Sequence, residues 1–175
     1  NKIHTFLEAQ DGTLWVGTAS GVARFENGRF TPWMAGSDLS VLAIRSVAQD
    51  SQGNFWFATW GSGVFKYDGH RLTNFQLGDG LAGNKVSQIM EDQTSNLWFS
   101  TETGVSRYDG ERFAYLRTED GLANNNVWLV LERWGLQREY YDLPFQQQLL
   151  AQTDYISQSQ GIFILRSKPN PCPLP

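Results

Sequence analysis

Three tryptophans, Trp15, Trp56 and Trp98, each sit in a short segment of one design: LWVGT at 14–18, FWFAT at 55–59 and LWFST at 97–101. Their separations of 41 and 42 residues make the chain a tandem repeat. A unit of this length is one supersecondary structure that cannot bury its own apolar faces and must stack against its neighbours. The period runs well beyond the tryptophans. Ile3, Ile44, Val86 and Val127 open successive units, and Phe6, Val47, Ile89 and Val130 keep the register. Thr18, Thr59 and Thr101 match, as do Gly21, Gly63 and Gly104, then Phe25, Tyr67 and Tyr108, then Phe30, Leu72 and Phe113. Three whole units and the start of a fourth are present, and the match fails after Glu132.

Each unit reads as four short strands. In the second, Arg45–Gln49 alternates with period two, Phe55–Thr59 is aromatic and β-branched, Val64–Tyr67 is a third run and Leu72–Phe75 a fourth. Turn residues divide them: Asp50 to Asn54, Trp60 to Gly63, and the Asp68-Gly69 hairpin signal. Four antiparallel strands in about 42 residues is a propeller blade. Helical units are disfavoured because glycines interrupt every stretch long enough to form an ordinary helix. The predicted fold is all-β: a partial β-propeller of three four-stranded antiparallel blades, at about 1–40, 41–82 and 83–123, with the first strand of a fourth at 124–132. Each indole is expected to pack between adjacent blades. Burying about 150–250 Å² at about 25 cal/mol/Å² contributes at most about 4–6 kcal/mol.

Composition narrows the function. A net charge of −4 and a pI near 5.1, without a Lys/Arg cluster, argue against nucleic acid as a partner. No apolar run approaches the ~20 residues of a membrane helix, and no leader is visible from Asn1 onward. Cys172 stands alone, so an internal disulfide is excluded.

The residues from Val86 to Phe113 form V-x-x-I-x-E-D-x-x-x-N-L-W-x-x-T-x-x-G-V-x-R-Y-D-G-x-R-F, and the linkers read GDGLAGNKV and EDGLANNNV. This pattern resembles the two-component regulator propeller repeat over residues 1 to about 132. The resemblance implies the extracytoplasmic, periplasmic sensor region of bacterial signalling proteins. In these, propellers precede a membrane span and an output domain such as a histidine kinase, so the implied partners are further blades and that output domain.

In an up-and-down blade the loops joining strands two to three emerge on the same face as the linkers between blades. That face carries Ala19-Ser20, Trp60-Gly61-Ser62 and Glu102-Thr103, with linkers Met34–Ala43, Gln76–Lys85 and Arg117–Asn126. Gly80 and Gly121 are expected at positive φ, with Asp38 tolerating the same conformation, and Leu39, Leu81 and Leu122 are expected to plug the spaces between blades. Variation between copies marks candidate ligand contacts. Trp60 adds an aromatic plate in a loop one residue longer than its counterparts, suited to stacking on a sugar or another flat ligand. Asp79, Asn84, Lys85, Glu102, Asp120, Asn124 and Asn125, with Asn126, supply donors and acceptors nearby. The competing reading of the Asn and Asp residues is that they serve turns.

Catalysis finds little support. His4 and His70 fall at different levels of separate blades, and no H-E-x-x-H, G-x-S-x-G, C-x-x-C or phosphate loop occurs. Neither a cofactor nor a metal site is expected. The functional expectation is a non-catalytic sensor that recognises an oligosaccharide or small polar ligand. The alternatives are an interaction or dimerisation module, and, more remotely, a metal-dependent propeller lyase of the streptogramin type. Since a ring takes about four to eight blades, three form an open arc with apolar ends that favour self-association. Residues 133–175 form a divergent Gln- and Pro-rich tail with a short helix expected at Leu143–Thr153 and a strand at Ile162–Leu165. That tail is either the product of a frame change or truncation, or an element that covers the open edge of blade three.

Overall fold

The structure, a computed structural model, describes residues 2–120, 122, 125–132, 155–157 and 162–165. Three four-stranded antiparallel sheets follow one another in chain order. The first is β1 (Ile3–Glu8), β2 (Leu14–Thr18), β3 (Gly21–Glu26) and β4 (Arg29–Pro32). The second is β5 (Ile44–Gln49), β6 (Phe55–Thr59), β7 (Val64–Tyr67) and β8 (Leu72–Phe75). The third is β9 (Val86–Glu91), β10 (Leu97–Thr101), β11 (Gly104–Tyr108) and β12 (Phe113–Leu116). Each is a meander in which every strand pairs with its sequence neighbour, as the propeller reading requires. The start of the fourth unit differs from a standard blade: β13 (Leu129–Glu132) pairs in parallel with β15 (Ile162–Leu165), which pairs antiparallel with β14 (Tyr155–Ser157). The strand expected at 162–165 is therefore present, and the helix expected at 143–153 lies outside the described residues.

The tryptophans join the sheets. Trp15, Trp56 and Trp98 are all buried. Trp15 meets Phe55 and Phe57 of the second blade with ring centroids 4.5 and 6.2 Å apart, and Trp56 meets Phe99 and Tyr108 of the third at 5.6 and 5.5 Å. Leu39 packs in the cluster containing Trp15, Ile44 and Phe57, and Leu81 in that containing Trp56, Val86 and Phe99. These two linker leucines thus fill the spaces between blades. Leu122 packs with Trp98 and Val127.

A burial mismatch marks the first blade. Ile44 and Val47 are 0% and 6% exposed because blade one covers them, whereas their repeat counterparts Ile3 and Phe6 are 51% and 63% exposed. Phe25 and Phe30 are exposed beside them. This face has the composition of an inter-blade interface, and it is where the open arc presents apolar surface.

The indole N–H needs an acceptor once buried. Trp56 Nε1 donates to Asp50 Oδ2 at 2.8 Å and Trp98 Nε1 to Asp92 Oδ2 at 2.7 Å, each six residues upstream in the β-turn between strands one and two of its blade. The other oxygen of Asp50 accepts the backbone N–H groups of Gln52 and Asn54, and that of Asp92 those of Thr94 and Asn96. One carboxylate therefore closes the turn and satisfies the buried indole. Burial pushes the Asp92 carboxyl up, but the hydrogen bonds from Trp98, Thr94 and Asn96 outweigh it and hold the group below its ordinary value. The first blade has Ala9 at this position, and Trp15 Nε1 has no partner.

The first strand of each blade carries the same irregularity. Pairing skips His4 between Ile3 and Thr5, Arg45 between Ile44 and Ser46, and Ser87 between Val86 and Gln88. Such a bulge bends the strand and re-aims the extra side chain. His4 Nδ1 lies 3.0 Å from the Ile44 carbonyl, and Ser87 Oγ donates to the Val127 carbonyl at 3.1 Å. Ile44 and Val127 are themselves repeat equivalents, so the bulge residue ties each of these strands to the next unit.

Three stability measurements follow. Trp56→Ala is expected to cost about 3–5 kcal/mol in urea denaturation, because it empties the space between blades two and three. Ala9→Asp, placed in a turn with the backbone bonds of its counterparts, supplies the missing acceptor and is expected to stabilise by about 1 kcal/mol; an unchanged urea midpoint would reject that role. The Asp92 contribution is fully present above the unfolded-state value of about 3.9 and is lost as pH falls through the lower folded value. Comparing wild type with Asp92→Asn from pH 7 to 2.5, the stability gap should narrow below about pH 4; a constant gap would exclude ionised Asp92 as the cause.

Candidate functional site

The face bearing the linkers gathers most of the expected site residues. Linker 76–85 turns through a 3-10 segment, Leu77–Asp79, and ends it at Gly80 with φ 103°. Asp79 Oδ2 accepts the Gln76 N–H at 2.8 Å, and Asn84 Oδ1 accepts the Leu77 N–H at 2.8 Å. Linker 117–126 repeats the device around Thr118–Asp120: Asp120 Oδ2 accepts the Arg117 N–H at 2.9 Å, and Asn125 Oδ1 accepts the Thr118 N–H at 2.7 Å. The first linker has Ser37 and Leu42 at these positions and follows another path. Its 3-10 segment is Asp38–Val41, and the positive φ angles fall on Met34 at 50° and Gly36 at 89°. Asp38 therefore does not take the left-handed conformation that it was expected to tolerate. The first turn bond, Ser37 N–H to the Met34 carbonyl, matches that of the other linkers, but without the Asp and Asn clamp the 3-10 segment begins at Asp38, three repeat positions later than in linker 76–85. Gly121 lies outside the described residues.

The linkers meet the loops between strands two and three. The Asn84 carbonyl accepts N–H groups from Gly61 at 3.2 Å and Gly63 at 2.9 Å. Glu102 Oε2 accepts the Lys85 N–H at 2.9 Å, while the Lys85 carbonyl accepts the Glu102 N–H at 3.3 Å. Thr103 Oγ1 donates to the Ala82 carbonyl. These contacts need Gly83: a Cβ there would lie 2.4 Å from Thr103 Oγ1 and 2.9 Å from Glu102 Oε2.

Above this junction lies an open depression of about 400 Å³. Asn84, Glu102 and Asn125 line it, joined by Thr103, Arg117 and Glu119 over a floor that includes Ala82 and Gly83. Asp79, Lys85 and Asp120 are not among its lining residues: the two aspartates hold the linker turns, and the Lys85 backbone joins its linker to the loop at Glu102. Asn124 lies outside the described residues. Arg117 was not singled out in the sequence, although its repeat counterparts are Gln76 and Met34. Its Nη2 donates to the Ala82 carbonyl at 3.2 Å, and its guanidinium lies 4.6 Å from the Tyr115 ring centroid. Its Nε is buried without a partner. The depression therefore presents amide and guanidinium donors beside carboxylate acceptors, a set suited to polyhydroxyl or polar ligands.

Trp60 is not part of that lining. It pairs with Lys85 through an isolated bridge, and its N–H donates to the Ala43 carbonyl at 3.0 Å. Its indole is 38% exposed and lies 5.6 Å, centroid to centroid, from that of Trp128, which is 48% exposed. The Arg45 guanidinium lies over the Trp60 ring at 4.6 Å. Arg45 and Trp128 occupy the bulge position of the repeat, with His4 and Ser87, so their divergence was visible in the sequence once that position was known to be special. Among the described residues no group of His, Cys, Asp and Glu is arranged to hold a metal ion, and no described helix is long and apolar enough to cross a membrane.

Residues 1–20, 38–61 and 80–103 match the family model described as "Two component regulator propeller". The extracellular domain of a protein described as a hybrid two component system from B. thetaiotaomicron superposes with TM-score 0.64 at 26% identity, over 71% of this chain and 18% of that one. A second such extracellular domain from the same organism gives 0.59 at 20% identity, over 69% and 19%. Virginiamycin B lyase from Staphylococcus aureus gives 0.52 at 17% identity, over 66% and 41%, a likeness of fold alone. The chain spans about a fifth of the two extracellular domains. No curated protein is significantly similar to it.

Proposed function

We propose, for a chain built on two-component regulator propeller repeats, that it is the ligand-recognising part of an extracytoplasmic sensor and performs no catalysis. The extracellular setting of the similar domains supports this placement. The ligand is an oligosaccharide or another small polar molecule, bound on the linker face. The observation that carries this reading is the depression formed by Asn84, Glu102, Thr103, Arg117 and Asn125, which collects donors and acceptors from two linkers and one loop. It contains no hydroxyl or thiol nucleophile hydrogen-bonded to a base among the described residues, as acyl transfer by a serine or cysteine would need. Asn84 and Asn125 each accept a linker backbone N–H through Oδ1, and the Asn125 NH₂ also donates to Thr118 Oγ1 at 3.3 Å.

A second reading has an observation of its own. Ile3, Phe6, Phe25 and Phe30 form an exposed apolar face, which fits contact with another protein surface or a further blade. Both readings concern a protein whose other blades and output domain relay the signal.

A glycan array followed by calorimetry on the full chain, and on Trp60→Ala and Asn84→Ala, separates the two. Sensing predicts saturable glycan binding weakened about 10-fold or more by the loss of a stacking ring or a well-placed donor. Binding of no glycan, together with concentration-dependent association abolished by Phe6→Ser, would favour the interaction module.

A further inference from the structure

We infer that Arg45, Trp60 and Trp128 form a recognition site for an acidic sugar, with the carboxylate held by Arg45 and the pyranose ring laid on the exposed indoles. This rests on the sensing reading above and goes beyond it, since it names a second place outside the depression and the class of ligand held there.

The inference begins with the bulge position. In β1 and β9 the bulge residue reaches across to the next unit: His4 lies at the Ile44 carbonyl, and Ser87 donates to the Val127 carbonyl. Arg45 departs from this pattern. Its guanidinium turns onto the Trp60 ring at 4.6 Å and makes no hydrogen bond or ion pair among the described residues. The fourth bulge-position residue is Trp128, whose indole lies 5.6 Å from that of Trp60 with the planes tilted by 31°.

An arginine stacked on an indole keeps its N–H fork in the guanidinium plane, where it can grip a carboxylate with two parallel bonds. Stacking also removes part of the side chain's rotational freedom before a ligand arrives, which lowers the ordering cost of binding. An isolated structural stack would leave these donors to bulk water. Here they stand beside the Trp60 indole, 38% exposed, which itself lies against that of Trp128, 48% exposed, although large aromatic surfaces are normally withdrawn from solvent. The blade-two loop is longer by one residue than its counterparts, and that longer loop carries Trp60. A bulge side chain that leaves its structural partner, an added aromatic and a second aromatic at an equivalent position therefore converge at one place. A uronic acid offers the matching chemistry: a carboxylate at one end of a ring whose C–H face is apolar.

The test compares oligogalacturonides with the same oligomers after carboxyl reduction to galactose, titrated into the full chain by calorimetry at 20 and 200 mM salt. The expected result is tighter binding of the acidic series, weakened by added salt. Arg45→Gln should remove about 10- to 100-fold of that affinity and leave the weak binding of the reduced series in place. Trp128→Ala should weaken both series by about 10-fold. Near-UV circular dichroism confirms the fold of each variant, and Arg45→Lys, which keeps the charge but loses the fork, should recover only part of the preference. If the reduced oligomers bind as tightly as the acidic ones, or Arg45→Gln keeps the preference, the acidic-sugar assignment falls while general sensing stands. If no oligosaccharide of either series or of the wider glycan array binds the folded chain, both fall.

Discussion

The packing of one indole per blade against the following sheet is the interaction on which the rest depends. A four-stranded meander has two faces and cannot bury both alone. The repeated tryptophan supplies the large apolar body that closes each gap. The linker leucines Leu39 and Leu81 complete the seams on either side of blade two. Comparison of the three copies separates packing from hydrogen bonding. Trp56 and Trp98 each donate to an aspartate, whereas Trp15 does not and is still only 3% exposed. Burial of the ring is thus the common term, and the carboxylate is an addition that also closes the turn. Where the covering blade is missing from the described residues, as over Ile3 and Phe6, the same apolar positions lie in solvent.

A second constraint acts at the other end of the first strands. The shared bulge shifts pairing by one residue and turns a side chain away from the ladder. In two blades that side chain bonds to the next unit, so the irregularity strengthens the join between blades. In β5 it does not, and the released guanidinium lies on Trp60. A structural device repeated along the chain thereby becomes, with one change of residue, a candidate recognition feature. The scaffold tolerates the exchange because adjacent β5 and β9 are also joined by the Ile89 N–H to Ser46 Oγ bond at 3.2 Å.

Much of the fold was legible because the repeat states it three times. Strand boundaries in the second unit could be placed within a residue from alternation and turn chemistry, since every strand is short and the first three have Gly, Asp or Asn at one end at least. The bulge was not legible: a pairing shift depends on backbone geometry across two strands, and the alternation of Ile44 to Gln49 does not reveal it. For that reason the special standing of Arg45 and Trp128 escaped the sequence, and Trp60 was seen without its neighbours. Alignment with Gly80 shows that Asp38 can tolerate a positive φ, not that it adopts one. The Asp79 and Asn84 clamps that set that linker's path are absent around Asp38. Arg117 could have been found by comparing its counterparts Gln76 and Met34, as a charge that the repeat does not require. The parallel pairing of β13 with β15 had no signal, because nothing local distinguishes a parallel partner from an antiparallel one.

The division of labour among the polar residues then bears on where recognition can reside. Asp79 and Asp120 use a carboxylate oxygen to accept the N–H that opens their linker, and Asn84 and Asn125 use their amide oxygens in the same way. These oxygens have little left to distinguish one ligand from another, since moving them would release the linker. The Asn125 NH₂ is engaged as well, donating to Thr118 Oγ1 at 3.3 Å. Discrimination, on the proposed reading, must come from residues that the repeat leaves free to vary: Glu102, Thr103, Arg117 and Glu119 around the depression, and Arg45, Trp60 and Trp128 beside the bulges. The two sets overlap, because Glu102, Thr103 and Arg117 also bond to the linker backbone at Lys85 and Ala82, and the first linker, with Ser37 and Leu42 in place of the clamp, takes another path. On the proposed reading, linker geometry and specificity therefore change together.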